Sequence, residues 1–165
     1  MGMSVTISAA TERDAEQILK LQYLCYQSEA EVRGDYSIEP LTQPLDSIRA
    51  ELNAGQVLVA RLGEEVVASV RGTVDEDGVA HIGKLIVHPR MRGHGLGGRL
   101  LGAIEERLRT AREAKRFQLF TGHHSDRNLR LYRKHGYAPV GSHQVDDRLT
   151  LVTLTKDVGL LTRTA

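Results

Sequence analysis

A chain of 165 residues is long enough for one domain that buries roughly 70% of the surface its unfolded form exposes. Its 22 Lys and Arg against 21 Asp and Glu leave a formal net charge of +1, which argues against a dedicated nucleic-acid binder. One cysteine, Cys25, excludes an internal disulfide and fits a reducing compartment, and no apolar run approaches the ~18 residues of a membrane span.

Val5, Ile7 and Ala9 alternate as a first strand does, so the match of Met1-Gly-Met-Ser-Val-Thr6 to the loose myristoylation pattern reads as chance. With no signal-peptide core, the expectation is a soluble, cytoplasmic protein that does not engage membranes. Thr11 caps a helix, with Asp14 three residues on and Ala15, Ile18, Leu21 and Cys25 along one face. Cys25 in that pattern reads as a small buried hydrophobe. Arg33 to Pro44, with Gly34, Pro40 and Pro44, reads as a loop. Asp46 can cap a short helix to Ala54 that Gly55 closes. Gln56 to Leu62 and Val66 to Asp75 form a hairpin around Gly63-Glu64-Glu65, and Asp77-Gly78 turns into a third strand from Val79 to Val87.

That strand stops at His88-Pro89, and Arg90-Met-Arg-Gly-His-Gly-Leu-Gly-Gly98 follows. Leu96, Leu100, Ile104, Leu108 and Ala111 then recur at helical spacing. Glycines at a helix start let backbone N–H groups converge on an anion, and the helix dipole favours negative charge there. Arg90, Arg92 and Arg99 add charge, so the loop reads as a pyrophosphate cradle rather than a ligand-free turn. Arg116 to Thr121 is the next strand, Ser125 or Asp126 caps a helix through His135, and Gly136 ends it. Val140 to Val145 and Leu149 to Lys156 form a last hairpin around Asp146-Asp147. The order βααβββαβαββ, without repeats or linkers, predicts one mixed α/β domain over residues 1–165.

Gly93-His-Gly-Leu-Gly-Gly98 matches G-x-G-x-x-G, but five residues separate it from the strand end. The following strand leads into Phe120-Thr-Gly-His-His124, with no acid for a ribose hydroxyl. A Walker A loop fails for want of Gly-Lys-Ser/Thr. Arg90-Met-Arg-Gly-His-Gly95 instead resembles the Arg/Gln-x-x-Gly-x-Gly/Ala signature of the GNAT superfamily of N-acetyltransferases, as does the preceding Leu-x-Val-x-Pro. Asn128-Leu-Arg-Leu-Tyr-Arg-Lys-His-Gly-Tyr137 is similar to that family's later motif, in the right order and one helix and one strand away.

The resemblance covers nearly the whole chain and implies the acyl-CoA N-acyltransferase fold, with acetyl-coenzyme A as co-substrate. It assigns the pyrophosphate to the amides from Arg92 through Gly93, His94, Gly95, Leu96 and Gly97 to Gly98. The pantetheine arm falls to the backbone of Leu85, Ile86 and Val87, where the strands ending at Val87 and Thr121 splay apart. Asn128 and Tyr132, four apart on one helix face, line the same groove, and Tyr132 takes the family's role of protonating the departing thiolate. The strand Ala80-His-Ile-Gly-Lys-Leu-Ile-Val87 departs from the family by lacking Glu. His81 is therefore the candidate general base, on one strand face with Gly83 and Leu85.

His123 and His124 are weaker candidates, and their spacing supports no metal site. Tyr26, Glu29, Glu31, Asp35, Tyr36 and Glu39 cluster where the acceptor mouth is expected, and carboxylates there suit a cationic amine. The expected activity is direct attack of an amine, from a small molecule or a peptide, on the thioester in a ternary complex. The alternatives are a non-catalytic acyl-CoA sensor on the same fold and a dinucleotide enzyme. A homodimer is common in the family.

Overall fold

The computed structural model describes residues 4–54 and 56–158. Met1 to Met3 of the acylation-like pattern and Gly55, expected to close a helix, lie outside them. The chain packs as two compact units, one of residues up to Arg71 with Lys84–Ile104, the other of Gly72–Gly83 with residues from Glu105 on.

In the first unit β1 (Val5–Ala9) pairs antiparallel with β2 (Gln56–Leu62), from Val5 opposite Leu62 to Ala9 opposite Leu58. A 3₁₀ turn at Glu12–Asp14 leads into α1 (Ala15–Cys25). Asp14 fastens this corner. Its carboxylate accepts the Thr11 amide at 2.8 Å and both guanidinium nitrogens of Arg61 at 2.6 Å. Burial pushes the Asp14 carboxyl up, but the Arg61 and Thr11 hydrogen bonds outweigh it and hold the pKa below the ordinary value.

The stretch expected to be a loop holds more helix than its composition suggests. α2 (Gln27–Arg33) ends on Gly34, whose φ of +66° places it in the left-handed region that favours glycine. α3 (Glu39–Thr42) is one turn, opened by Pro40, a residue pre-set for a helix start. α4 (Leu45–Ala54) follows as expected. Ala15, Ile18 and Leu21 of α1 and Ile48 of α4 pack with Val57 and Val59 of β2, Val66 of β3 (Glu65–Val74) and Ile86 of β4 (Val79–Val87). Each fully buried aliphatic side chain here stabilises the unit by about 1.5–3 kcal/mol.

In the second unit the N-terminal end of β4 pairs in parallel with β5 (Arg116–Gly122), Val79 to His81 opposite Arg116 to Gln118. β5 pairs antiparallel along its whole length with β7 (Thr150–Asp157), which also carries β6 (Ala138–Gln144). β6 is wholly exposed and slips register between Pro139 and Gly141, as suits an edge that holds a proline. α5 (Leu96–Arg112), which belongs to the first unit up to Ile104 and to the second from Glu105, buries Leu100, Leu101, Ile104 and Leu108, and α6 (Asp126–Lys134) precedes Gly136 at φ +94°. The strand order is β1-β2-β3-β4-β5-β7-β6 in one mixed seven-stranded sheet. The class is α/β, with α2 and α3 added to the expected order.

Candidate active site

The first unit holds the glycine loop. β4 ends at Val87, and His88 opens a 3₁₀ turn (Pro89–Met91) by accepting the Arg90 amide on Nδ1 at 3.2 Å. Met91 is buried and anchors the loop from below, while Arg92 to Gly95 are exposed. Gly93 and Gly95 take φ of +84° and +73°, and a Cβ at either would meet nothing within 4 Å. Backbone conformation, not space, is what demands glycine there. Leu96 is buried and begins α5, so the first-turn amides around Gly97 and Gly98 have no intrahelical acceptor. The result is an exposed set of N–H groups at a helix start, a site for phosphate oxygens.

The three loop arginines are not equivalent. Arg90 is committed to an ion pair with Glu65, and Arg99 reaches the Val5 carbonyl at 3.4 Å. Arg92 is exposed beside the glycines and, of the three, is the one whose charge acts on Cys25. Ile86 is buried, whereas Leu85 and Val87 are half-buried. Cys25 is half-buried too, with its thiol 3.5 Å from the Val87 carbonyl. Burial pushes that thiol up to about 11, against an opposing pull from Arg92 and the Val87 bond, so it is no thiolate nucleophile.

Between Gly83 and Leu85, Lys84 takes φ +48°, a left-handed conformation uncommon for a side-chain-bearing residue. The Lys84 ammonium bonds Glu39 at 2.8 Å and the Gln43 side-chain oxygen at 2.9 Å. Gln43 is a buried hub. Its oxygen also accepts from Gln22 at 3.1 Å and Arg71 at 3.3 Å, and its nitrogen donates to Ser47 at 3.0 Å and Glu51 at 2.8 Å. Arg71 pairs with Glu51 at 2.5 Å. The sequence reading missed Gln22, Gln43, Arg71 and Lys84. The one local signal was Gln22, a polar residue four after Ile18 on the buried face of α1. Of the residues expected at an acceptor mouth, Glu39 is thus tied to Lys84. Asp35 closes a turn onto Ser37, and Glu31 and Tyr36 are exposed.

The second unit holds the remaining candidates. Asn128 and Tyr132 lie on α6, and the Asn128 amide donates to Thr121 Oγ1 at 3.3 Å. Tyr132 is 6% exposed, and burial pushes its phenol up to about 12. The chain after it is tightly held: the Tyr137 hydroxyl donates to Glu105 at 2.7 Å, and Lys156 bonds Glu105 at 2.8 Å and the His135 carbonyl at 2.9 Å. The Lys156 ammonium also lies 5.1 Å from the centre of the Tyr137 ring, itself 6.1 Å from the Tyr132 ring. His81 is half-exposed, with Nε2 2.9 Å from Asp75 Oδ2. His123 Nδ1 sits 3.1 Å from the Thr150 carbonyl, and no metal-ligating cluster occurs among the described residues. Among those residues no helix is long and apolar enough to cross a membrane.

Comparison with known proteins places this geometry. A family model described as the acetyltransferase (GNAT) family matches residues 15–137. An acetyltransferase of the GNAT family from Streptococcus pneumoniae aligns with a TM-score of 0.76 at 18% identity, over 94% of this chain and 100% of that one. The paia N-acetyltransferase of Thermoplasma acidophilum, solved in complex with coenzyme A, aligns with a TM-score of 0.76 at 16% identity, over 94% and 99%. A ribosomal-protein-alanine N-acetyltransferase from Brucella melitensis aligns with a TM-score of 0.74 at 22% identity, over 93% and 99%. At these identities the solved structures speak for the fold.

Proposed function

Since the chain belongs to the GNAT acetyltransferase family, we propose that residues 1–165 act as one N-acetyltransferase domain, moving an acetyl group from acetyl-coenzyme A to a primary amine by direct attack in a ternary complex. The observation that carries the donor half is the loop: two glycines at positive φ deliver exposed amides to the start of α5. The amides from Arg92 to Gly98 bind the pyrophosphate of the co-substrate, and the backbone of Leu85, Ile86 and Val87 pairs with its amide-bearing arm as an added strand does. Asn128 and Tyr132 serve the same co-substrate from α6.

In the chemical step His81 takes a proton from the acceptor's ammonium, and the freed nitrogen lone pair forms a bond to the thioester carbonyl carbon. The C–S bond breaks and its electron pair leaves on sulfur, which ends as the thiol of coenzyme A. Tyr132 donates to that sulfur. With the phenol pushed up to about 12, complete transfer to a thiolate of ordinary pKa ~8.5 is uphill by roughly 5 kcal/mol. Tyr132 therefore acts first as a hydrogen-bond donor to the departing sulfur, and the proton follows as the nitrogen sheds its second one. The raised thiol of Cys25 supports this direct route over an acyl-cysteine.

The test is thiol release from acetyl-coenzyme A in the presence of a panel of amines, from polyamines and amino acids to peptide N-termini. Acceleration by at least one amine is expected. Tight coenzyme A binding with no acceleration by any amine would favour a non-catalytic sensor.

A further inference from the structure

The geometry points to Asp75 as the positioning residue that fixes the tautomer of His81, an inference that rests on reading His81 as the general base. Asp75 directly follows β3 at the start of the turn into β4, and its two carboxylate oxygens have separate duties. Oδ1 accepts the backbone amides of Asp77 at 2.9 Å and Val79 at 3.0 Å, which locks the carboxylate into the turn. Gly78 at φ +81° completes that turn, with its amide on the Asp75 carbonyl at 3.1 Å. Oδ2 is left for His81 Nε2, 2.9 Å away.

An ionised carboxylate only accepts hydrogen bonds, so Nε2 must be the protonated nitrogen of the neutral ring. The lone pair then sits on Nδ1, the nitrogen free to take a proton from an ammonium. The His81 hydrogen bond is also the largest influence holding the Asp75 carboxyl below its usual range, which keeps it an acceptor. The imidazolium formed when Nδ1 is protonated faces a fixed negative charge, the arrangement by which a carboxylate supports a histidine base in hydrolytic triads. Both side chains are about 40% exposed. The pair is therefore weak as a structural ion pair, and its value lies in orientation. Two adjoining acids, Glu76 and Asp77, are exposed in the same turn.

Asp75→Asn is the informative change, because Asn keeps an oxygen for the Asp77 and Val79 amides while offering an N–H to the ring. Nε2 then accepts, and the proton moves to Nδ1. Nitrogen-15 spectra of the histidine-labelled full chain at mildly alkaline pH, with His81 assigned through His81→Ala, are expected to show Nε2–H in the native protein and Nδ1–H in Asp75→Asn. Nδ1–H in the native protein overturns the proposal.

Thiol release with the most effective amine supplies the second readout. His81→Ala is expected to lower kcat ~100-fold and Asp75→Asn about 10-fold, within the range of general-base contributions, with KM for acetyl-coenzyme A unchanged. In the His81→Ala background, Asp75→Asn is expected to change kcat no further. An equal loss in both backgrounds makes Asp75 merely structural and overturns the inference. A His81→Ala enzyme with native kcat instead removes His81 as base, a distinct failure because the spectra still report the tautomer.

Discussion

The glycine loop from His88 to Gly95 and the stretch from Tyr26 to Pro44 belong to the same compact unit and solve opposite problems. The loop keeps side chains away, with Gly93 and Gly95 exposed at positive φ and Arg90 drawn off to Glu65. The other stretch closes side chains on one another: Gln43 serves five partners, Glu39 holds Lys84, and Asp35 caps Ser37. A phosphate site needs bare backbone and stays open, whereas buried polar side chains must satisfy each other before anything binds. The glycine loop is thus written in backbone conformation and the other stretch in side-chain pairings remote in sequence.

Four changes break or sharpen that contrast. Gln43→Leu strips an acceptor from Lys84, Arg71 and Gln22 at once, and chemical denaturation is expected to show a loss of about 3 kcal/mol. A loss below ~0.5 kcal/mol would mean the hub is solvated rather than closed. Next in size is Cys25, the residue just before that stretch, whose thiol bonds the Val87 carbonyl. At pH 8 a thiol with pKa about 11 is roughly 0.1% thiolate, against roughly 25% for a free one. Alkylation is therefore expected to run at least ~100-fold slower than for an unfolded control, gaining speed as pH rises towards 11.

In the loop, Gly93→Ala with Gly95→Ala forces two side chains into the left-handed region at about 1 kcal/mol each, or ~30-fold weaker coenzyme A binding by calorimetry. An unchanged affinity would show that the amides do not hold the pyrophosphate. The smallest effect belongs to Arg92→Ala: about 5-fold weaker binding, with a shallower salt dependence, as for an exposed charge. A loss there larger than that of the double glycine variant would reverse the ranking of backbone over charge.

What was legible in the sequence follows the same division. Positive φ shows itself as glycine, so Gly93, Gly95 and Gly136 marked the loop and a helix end correctly, while Gly34 was read only as part of a loop. Periodicity found α1 and α5 because their buried faces repeat every three or four residues. Lys84 stayed hidden because a lysine gives no hint of a left-handed strand residue; its conformation is held by Glu39 and Gln43, over 40 residues earlier. Lys156 and Glu105, 51 apart, were equally invisible. α2 and α3 were missed in whole or part because each is short and leans on one terminal residue, Gly34 or Pro40. His81 was readable as a candidate base, but its partner Asp75 read only as the end of a strand.

The central claim is amine acetylation at the expense of acetyl-coenzyme A, and stoichiometry tests it most directly. The purified protein, acetyl-coenzyme A and the most effective amine are incubated together, and both free thiol and acetylated amine are quantified by mass spectrometry over the same time course. The account predicts one acetylated amine for each thiol released, both nearly lost in a Tyr132→Phe, His81→Ala double variant. Thiol release without acetylated amine, or neither product from any amine, would contradict it.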